Sequence, residues 1–184
     1  MNSKQIKWSK KLFGRLSDYS KKLLWHLLSL CIGGFHSQQR AARHLGKIGD
    51  SRAIDILHSR LKSTENGSIR RVIMRAIGEI GHPASFAIIK PFLTKTRYRK
   101  LSPFDRITLE AIGGIRNHSV YYYLSEQLKS NMAREYALLK AISHTRDYSF
   151  IPHLEKHYQH SIQNDWLLEE KILRTMISLG PKGK

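Results

Sequence analysis

The sequence is short of acid. Its 184 residues carry 14 Asp and Glu against 32 Lys and Arg, a formal net charge of +18. It holds one cysteine, Cys31, which excludes an internal disulfide and points to a reducing, cytoplasmic setting. Cys31 lies in an apolar run and reads as a small buried hydrophobe. Long apolar runs are missing as well. Residues 23–35 form the best candidate, but they include His26, Ser29 and two glycines and fall short of the ~20 residues a membrane-spanning helix needs. The basic lead before them is long for a signal peptide, and no small-x-small cleavage site follows. No phosphate-cradling G-x-x-x-x-G-K-[ST] or G-x-G-x-x-G loop occurs, and no G-x-S-x-G nucleophile turn. These absences point away from catalysis, and no cofactor is expected.

What is present is charge, unevenly placed. Residues 1–100 hold 21 basic and 5 acidic side chains; residues 101–184 hold 11 and 9. A field so lopsided favours an anionic partner: an acidic protein, a nucleic acid or an acidic membrane surface.

A repeat is present too. The strings His44-Leu45-Gly46-Lys47-Ile48-Gly49-Asp50 and Ala76-Ile77-Gly78-Glu79-Ile80-Gly81-His82 share one pattern. Weaker copies run over residues 111–117 and 141–147, and a degenerate one over residues 176–180. The anchor positions 46, 78, 113, 143 and 178 are spaced by 32, 35, 30 and 35 residues, the length of two helices and two turns. Before each anchor the apolar residues recur at helical spacing, as in Ile69, Val72, Ile73, Ala76, Ile77 and Ile80. The small anchor residues would let a neighbouring helix approach closely. Asp50, Asn117 and Asp147, with His82 as the weak member, suit N-caps, and Pro83 suits a first helical position. A second helix follows each cap, with ladders such as Ile54, Leu57, Leu61 and Phe86, Ile89, Leu93. One hairpin cannot bury both apolar faces, but four or five stacked hairpins can. The expected fold is all-α: an α-solenoid, a right-handed α-α superhelix.

The strings at residues 40–54 and 70–84 resemble HEAT-like repeats of the short kind named after phycobilisome bilin lyases. The resemblance covers about residues 37–180. It implies the solenoid fold and, for function, scaffolds, adaptors, bilin lyases or DNA glycosylases. It supplies no catalytic residue. Some HEAT-repeat hydroxylases bind iron through His-Glu pairs, and no His-Glu dipeptide exists here. His153, His157 and His160 share a helical face, but their H-L-E-K-H string lacks the H-E-x-x-H arrangement. They are expected to be exposed histidines rather than metal ligands.

Residues 1–36 precede the repeats. Trp8, Leu12, Leu16, Tyr19, Leu23, Leu27 and Leu30 form one stripe among many lysines. This predicts a basic amphipathic cap over the array at residues 37–184; contact with an anionic membrane is the second reading and a targeting segment the third.

The expected function is a non-enzymatic scaffold whose basic N-terminal half binds an acidic protein or a nucleic acid. The alternatives are an enzyme of the HEAT-like DNA glycosylase kind and a bilin-lyase-like chaperone. The candidate contacts are Lys95, Arg97, Tyr98, Arg99 and Lys100 in one loop, together with Lys62, Arg70, Arg71, Arg75, Lys90 and Tyr122. If the second helices line the inner face, its exposed ladder includes Asp55, His58, Lys62, Lys90, Ser125 and Glu126, a mixed set that leans the partner towards protein. The first helices carry a second basic set, Arg40, Arg43, Arg71, Arg75 and Arg106, which would wrap positive charge around one end of the array.

Overall fold

The computed structural model describes residues 17–93, 101–130, 135–161 and 166–180. Among them are ten α-helices and no strand. They are α1 (Asp18–Ile32), α2 (Phe35–Ile48), α3 (Ile54–Ser63), α4 (Gly67–Ile80), α5 (Ser85–Ile89), α6 (Pro103–Gly114), α7 (His118–Ser130), α8 (Glu135–Thr145), α9 (Ile151–Ser161) and α10 (Trp166–Leu179). Helices α2 to α9 pair into four hairpins, and α10 begins a fifth. The chain is an α-solenoid.

Local chemistry sets the helix starts. Asp50 accepts from the Arg52 amide, Asn117 from Ser119 and Asp147 from Ser149, each opening the second helix of its hairpin. His82 does the same through Nδ1, which accepts from the Ala84 amide at 3.3 Å. Pro83 sits in the turn before α5 rather than at its first helical position, because α5 begins only at Ser85. The Asp50 carboxyl is held down to about 2, chiefly by the Arg52 guanidinium. Gly49 and Gly81 end α2 and α4 at φ 70° and 67°, a left-handed conformation that suits glycine.

The two layers of the solenoid pack differently. Helices α2, α4, α6, α8 and α10 stack directly on one another, while α3, α5, α7 and α9 touch their counterparts sparsely. The anchors are the cause. A Cβ on Gly78 would lie 2.6 Å from the Ala111 Cα, and one on Gly113 would lie 2.9 Å from the Ala141 Cα. Only a missing side chain permits that approach. Because a stack curves toward its closer-spaced layer, the first helices line the inner side. This corrects the expectation that the second helices do so.

The core runs between the layers. Leu45, Leu57, Ile73, Ile77, Ile89, Ile112, Leu124, Ile142 and Leu154 are fully buried. Three sequence expectations fail on burial. Cys31 is exposed, because α1 turns a different face to the array. His58 is buried and bonded to Ser85 Oγ at 3.0 Å, and Ser125 is buried too. Desolvation holds the His58 pKa below its ordinary value. α1 packs on α2, with Tyr19 OH donating to Asp50 Oδ2 and the His26 ring stacked on His44 at 4.7 Å. Among the described residues no helix is long and apolar enough to cross a membrane.

Candidate functional site

The inner layer carries its cations in register. Arg43 stands three residues before its anchor on α2, and Arg75 does so on α4. The same position is Glu110 on α6 and Lys140 on α8. Lys140 Nζ reaches Glu110 Oε1 at 2.7 Å, so equivalent positions on adjacent repeats lie within reach of one another. Where that column is Arg43 beside Arg75, no such neutralisation exists: both are exposed, and neither pairs with a described carboxylate. Arg40, Lys47, Arg71 and Arg106 add further exposed cations on α2, α4 and α6. Glu79 is the exposed acid of α4, lying over Gly46, whose missing side chain leaves it room.

A groove of about 560 Å³ opens where α4, α6 and α8 end. Its charged lining is Arg75, Glu79, Glu110, Arg116, His144 and Arg146. Arg116 and Arg146 stand three residues after their anchors, where the first two repeats have Gly49 and Gly81. Arg146 adopts φ 54°, a left-handed conformation that is unfavourable for a side-chain-bearing residue. The Arg116 amide donates to the Gly81 carbonyl at 3.1 Å, tying the third repeat to the second.

The sequence-predicted contacts divide between the layers. Arg71 and Arg75 lie on the inner layer and are exposed. Arg70, one residue away, is half-buried with its guanidinium 5.4 Å from the Phe92 ring and 5.8 Å from the Phe104 ring. It joins α4 to the start of α6 and faces the rings rather than solvent. Lys62, Lys90 and Tyr122 belong to the outer layer. Lys90 stands over the Phe86 and Tyr123 rings, at 5.6 and 5.0 Å. Tyr122 is 60% exposed and meets His118 edge-on at 4.8 Å. Lys95, Arg97, Tyr98, Arg99 and Lys100 lie outside the described residues.

Arg43 and Arg106 belong to the basic set read on the first helices, and both are exposed. Arg116 and Arg146 were not singled out. Their signal is register: each sits at a fixed offset from an anchor, and comparing offsets between repeats exposes a column that local charge density does not.

Among the described residues no group of three or more His, Cys, Asp or Glu is placed to hold a metal. His157 Nε2 is engaged by the Leu128 carbonyl at 2.9 Å, and His153 meets the Tyr121 ring edge-on; the His160 side chain lies outside what is described. The arrangement offers cationic hydrogen-bond donors along a curved face. Arginine suits that task because its planar fork meets carboxylate and phosphate oxygens two at a time.

Residues 36–101 match the family model described as HEAT repeats, a stretch that includes α3, α4 and α5 and nearly all of α2. The sequence matches no curated protein.

Proposed function

We propose that this chain, a HEAT-like repeat protein, is a non-enzymatic interaction scaffold that holds an anionic macromolecule against the inner layer of its N-terminal repeats. HEAT repeats suggest an interaction scaffold in general; the sign of the partner is our inference. One observation carries it. Arg43 and Arg75 occupy neighbouring places in a column whose next two places, Glu110 and Lys140, neutralise each other. Like charges held side by side cost free energy, and an anion laid across them removes that cost. An acidic protein segment and a nucleic-acid backbone both supply one.

A nucleic-acid enzyme of the glycosylase kind would need a carboxylate beside an aromatic ring on this face. The groove supplies Glu79 and Glu110, but no Phe, Tyr or Trp lines it. That favours binding over base chemistry.

The purified chain tests the reading through its ultraviolet absorbance ratio before and after a high-salt wash. A ratio typical of co-purified nucleic acid, falling after the wash, identifies that partner class, since phosphate contacts weaken steeply with salt. A protein-like ratio throughout, with an acidic polypeptide retained on the immobilised chain, identifies the other. Retention of neither on wild-type protein would contradict the reading.

A further inference from the structure

Helix α1 has two apolar faces, and the array uses one. Leu23 and Leu30 are buried against the repeats, with Leu27 half-buried beside them. Trp25, Leu28 and Ile32 point the other way and are 66%, 43% and 84% exposed. At about 100° per residue these three fall in one stripe opposite Leu23 and Leu30, and Lys21 heads the same stripe. A helix that is apolar on both sides is ordinarily buried on both. The outer face of a solenoid's terminal helix is ordinarily polar. Packing within the array therefore leaves Trp25, Leu28 and Ile32 unexplained.

The surrounding charge indicates what could cover them. Lys21 and Lys22 flank the stripe; Lys21 is tied to Asp18 at 3.2 Å, and Lys22 has no acidic partner among the described residues. The sequence just upstream, residues 1–16, contains five cations and no acid. The opposite end of the molecule gives a contrast. On α10, Trp166, Leu173 and Ile177 form an exposed apolar stripe of similar size, but Glu170 lies along it, bonded to Arg174 at 2.6 Å. Each stripe carries one ion pair, Asp18 with Lys21 and Glu170 with Arg174; α1 differs in the additional Lys22 at its border and in the cations just upstream.

We infer that the outer stripe of α1, Trp25, Leu28 and Ile32, docks in the interface of an anionic lipid bilayer. Trp and aliphatic side chains on one face of a helix, with lysines at its border, match the requirements of a helix lying in that plane. Trp is favoured at the level of the headgroups, and the lysines answer their charge.

Vesicle flotation of the full chain tests this, with phosphatidylcholine alone and with about three parts phosphatidylcholine to one of phosphatidylserine. The chain should float only with the second. Trp25→Ser/Ile32→Ser should lower the floating fraction about tenfold with its circular dichroism unchanged, because three exposed apolar side chains supply the insertion. Trp166→Ser/Ile177→Ser should float like wild type. In a Trp8→Phe/Trp166→Phe background, the emission of Trp25 should shift to the blue on adding the anionic vesicles. Three results would overturn the inference: no flotation, equal flotation of the Trp25→Ser/Ile32→Ser variant (binding by charge alone), or a solution dimer that Trp25→Ser abolishes (a second copy covers the stripe).

Discussion

The N-terminal and C-terminal halves of the inner layer are built on the same column and differ in electrostatics, one half uncompensated and the other balanced. Three residues before the anchor, the first two repeats have Arg43 and Arg75, exposed and without a carboxylate partner, while the next two have Glu110 and Lys140, bonded to each other. Backbone and spacing are alike, so the difference is one of side chains alone. Repeat architecture fixes where a residue stands; the residue decides whether neighbours neutralise or repel. A balanced column stabilises its own stack modestly. An unbalanced one is available to a partner.

The halves meet where Gly78 on α4 touches Ala111 on α6, and that joint gives the largest expected effect. Gly78→Leu drives a side chain into the backbone of the next repeat and should destabilise the fold by about 3 kcal/mol or more. Chemical denaturation would report it, with unfolding split into two transitions if the halves separate. Ordinary two-state loss of less than about 1 kcal/mol would mean the joint is loose.

A smaller effect lies in the end cap of the inner helices. Gly49 and Gly81 serve at φ 70° and 67° in the N-terminal repeats, whereas Arg146 is held at φ 54° in the fourth. Arg146→Gly should therefore raise the thermal midpoint, by an amount corresponding to about 0.5–1 kcal/mol. Unchanged or lowered stability would show that the Arg146 side chain contributes more than its backbone costs.

Glu110→Gln removes the column's one negative charge and frees Lys140 from its partner. Affinity for a polyanion should rise about threefold at low salt, and the gain should vanish in high salt. Titration of a fluorescent oligonucleotide or polyglutamate would measure it.

The smallest effect is a response to acid at the N-terminal end. His26 is stacked on His44 and His58 is buried; desolvation, the first cause for both, holds their pKa values down. The unfolded chain then binds protons first as pH falls below the ordinary histidine value of about 6.5. Stability from these groups is present above that pH and is lost on acidification toward their folded values. The thermal midpoint should drop modestly between pH 7.5 and pH 5.5, and less in His26→Gln. Asp50, held to about 2, contributes nothing to that window, because its carboxylate stays ionised until pH falls below its ordinary value.

Much of this was legible in the sequence. The recurring Gly46, Gly78 and Gly113 gave the repeat, and Asp50, Asn117 and Asp147 cap the helices they were expected to cap. Which layer lies inside was not read correctly, although the glycines hold the answer: the helices that carry them come closest, and closeness sets the curve. Periodicity alone says that a face is buried, not which neighbour buries it. For that reason Cys31 was taken as core and His58 as surface. On α1 the stripe through Leu23, Leu27 and Leu30 is the buried one, and Cys31 lies off it within the same apolar run; the His58 ring finds its partner, Ser85, on the next hairpin, 27 positions away. The arginines of the first helices, Arg40, Arg43, Arg71, Arg75 and Arg106, were legible as a basic set. Arg116 and Arg146 emerge only when equivalent offsets are compared across repeats.

The most direct test sets two charge reversals of equal size against each other. Arg43→Glu/Arg75→Glu and Lys140→Glu/Lys171→Glu change net charge identically at opposite ends of the inner layer. Binding of the same polyanion should fall at least tenfold for the first pair and less than about threefold for the second, at one moderate salt concentration. Equal losses from the two pairs would contradict the account, because they would show that total charge, and no particular face, holds the partner.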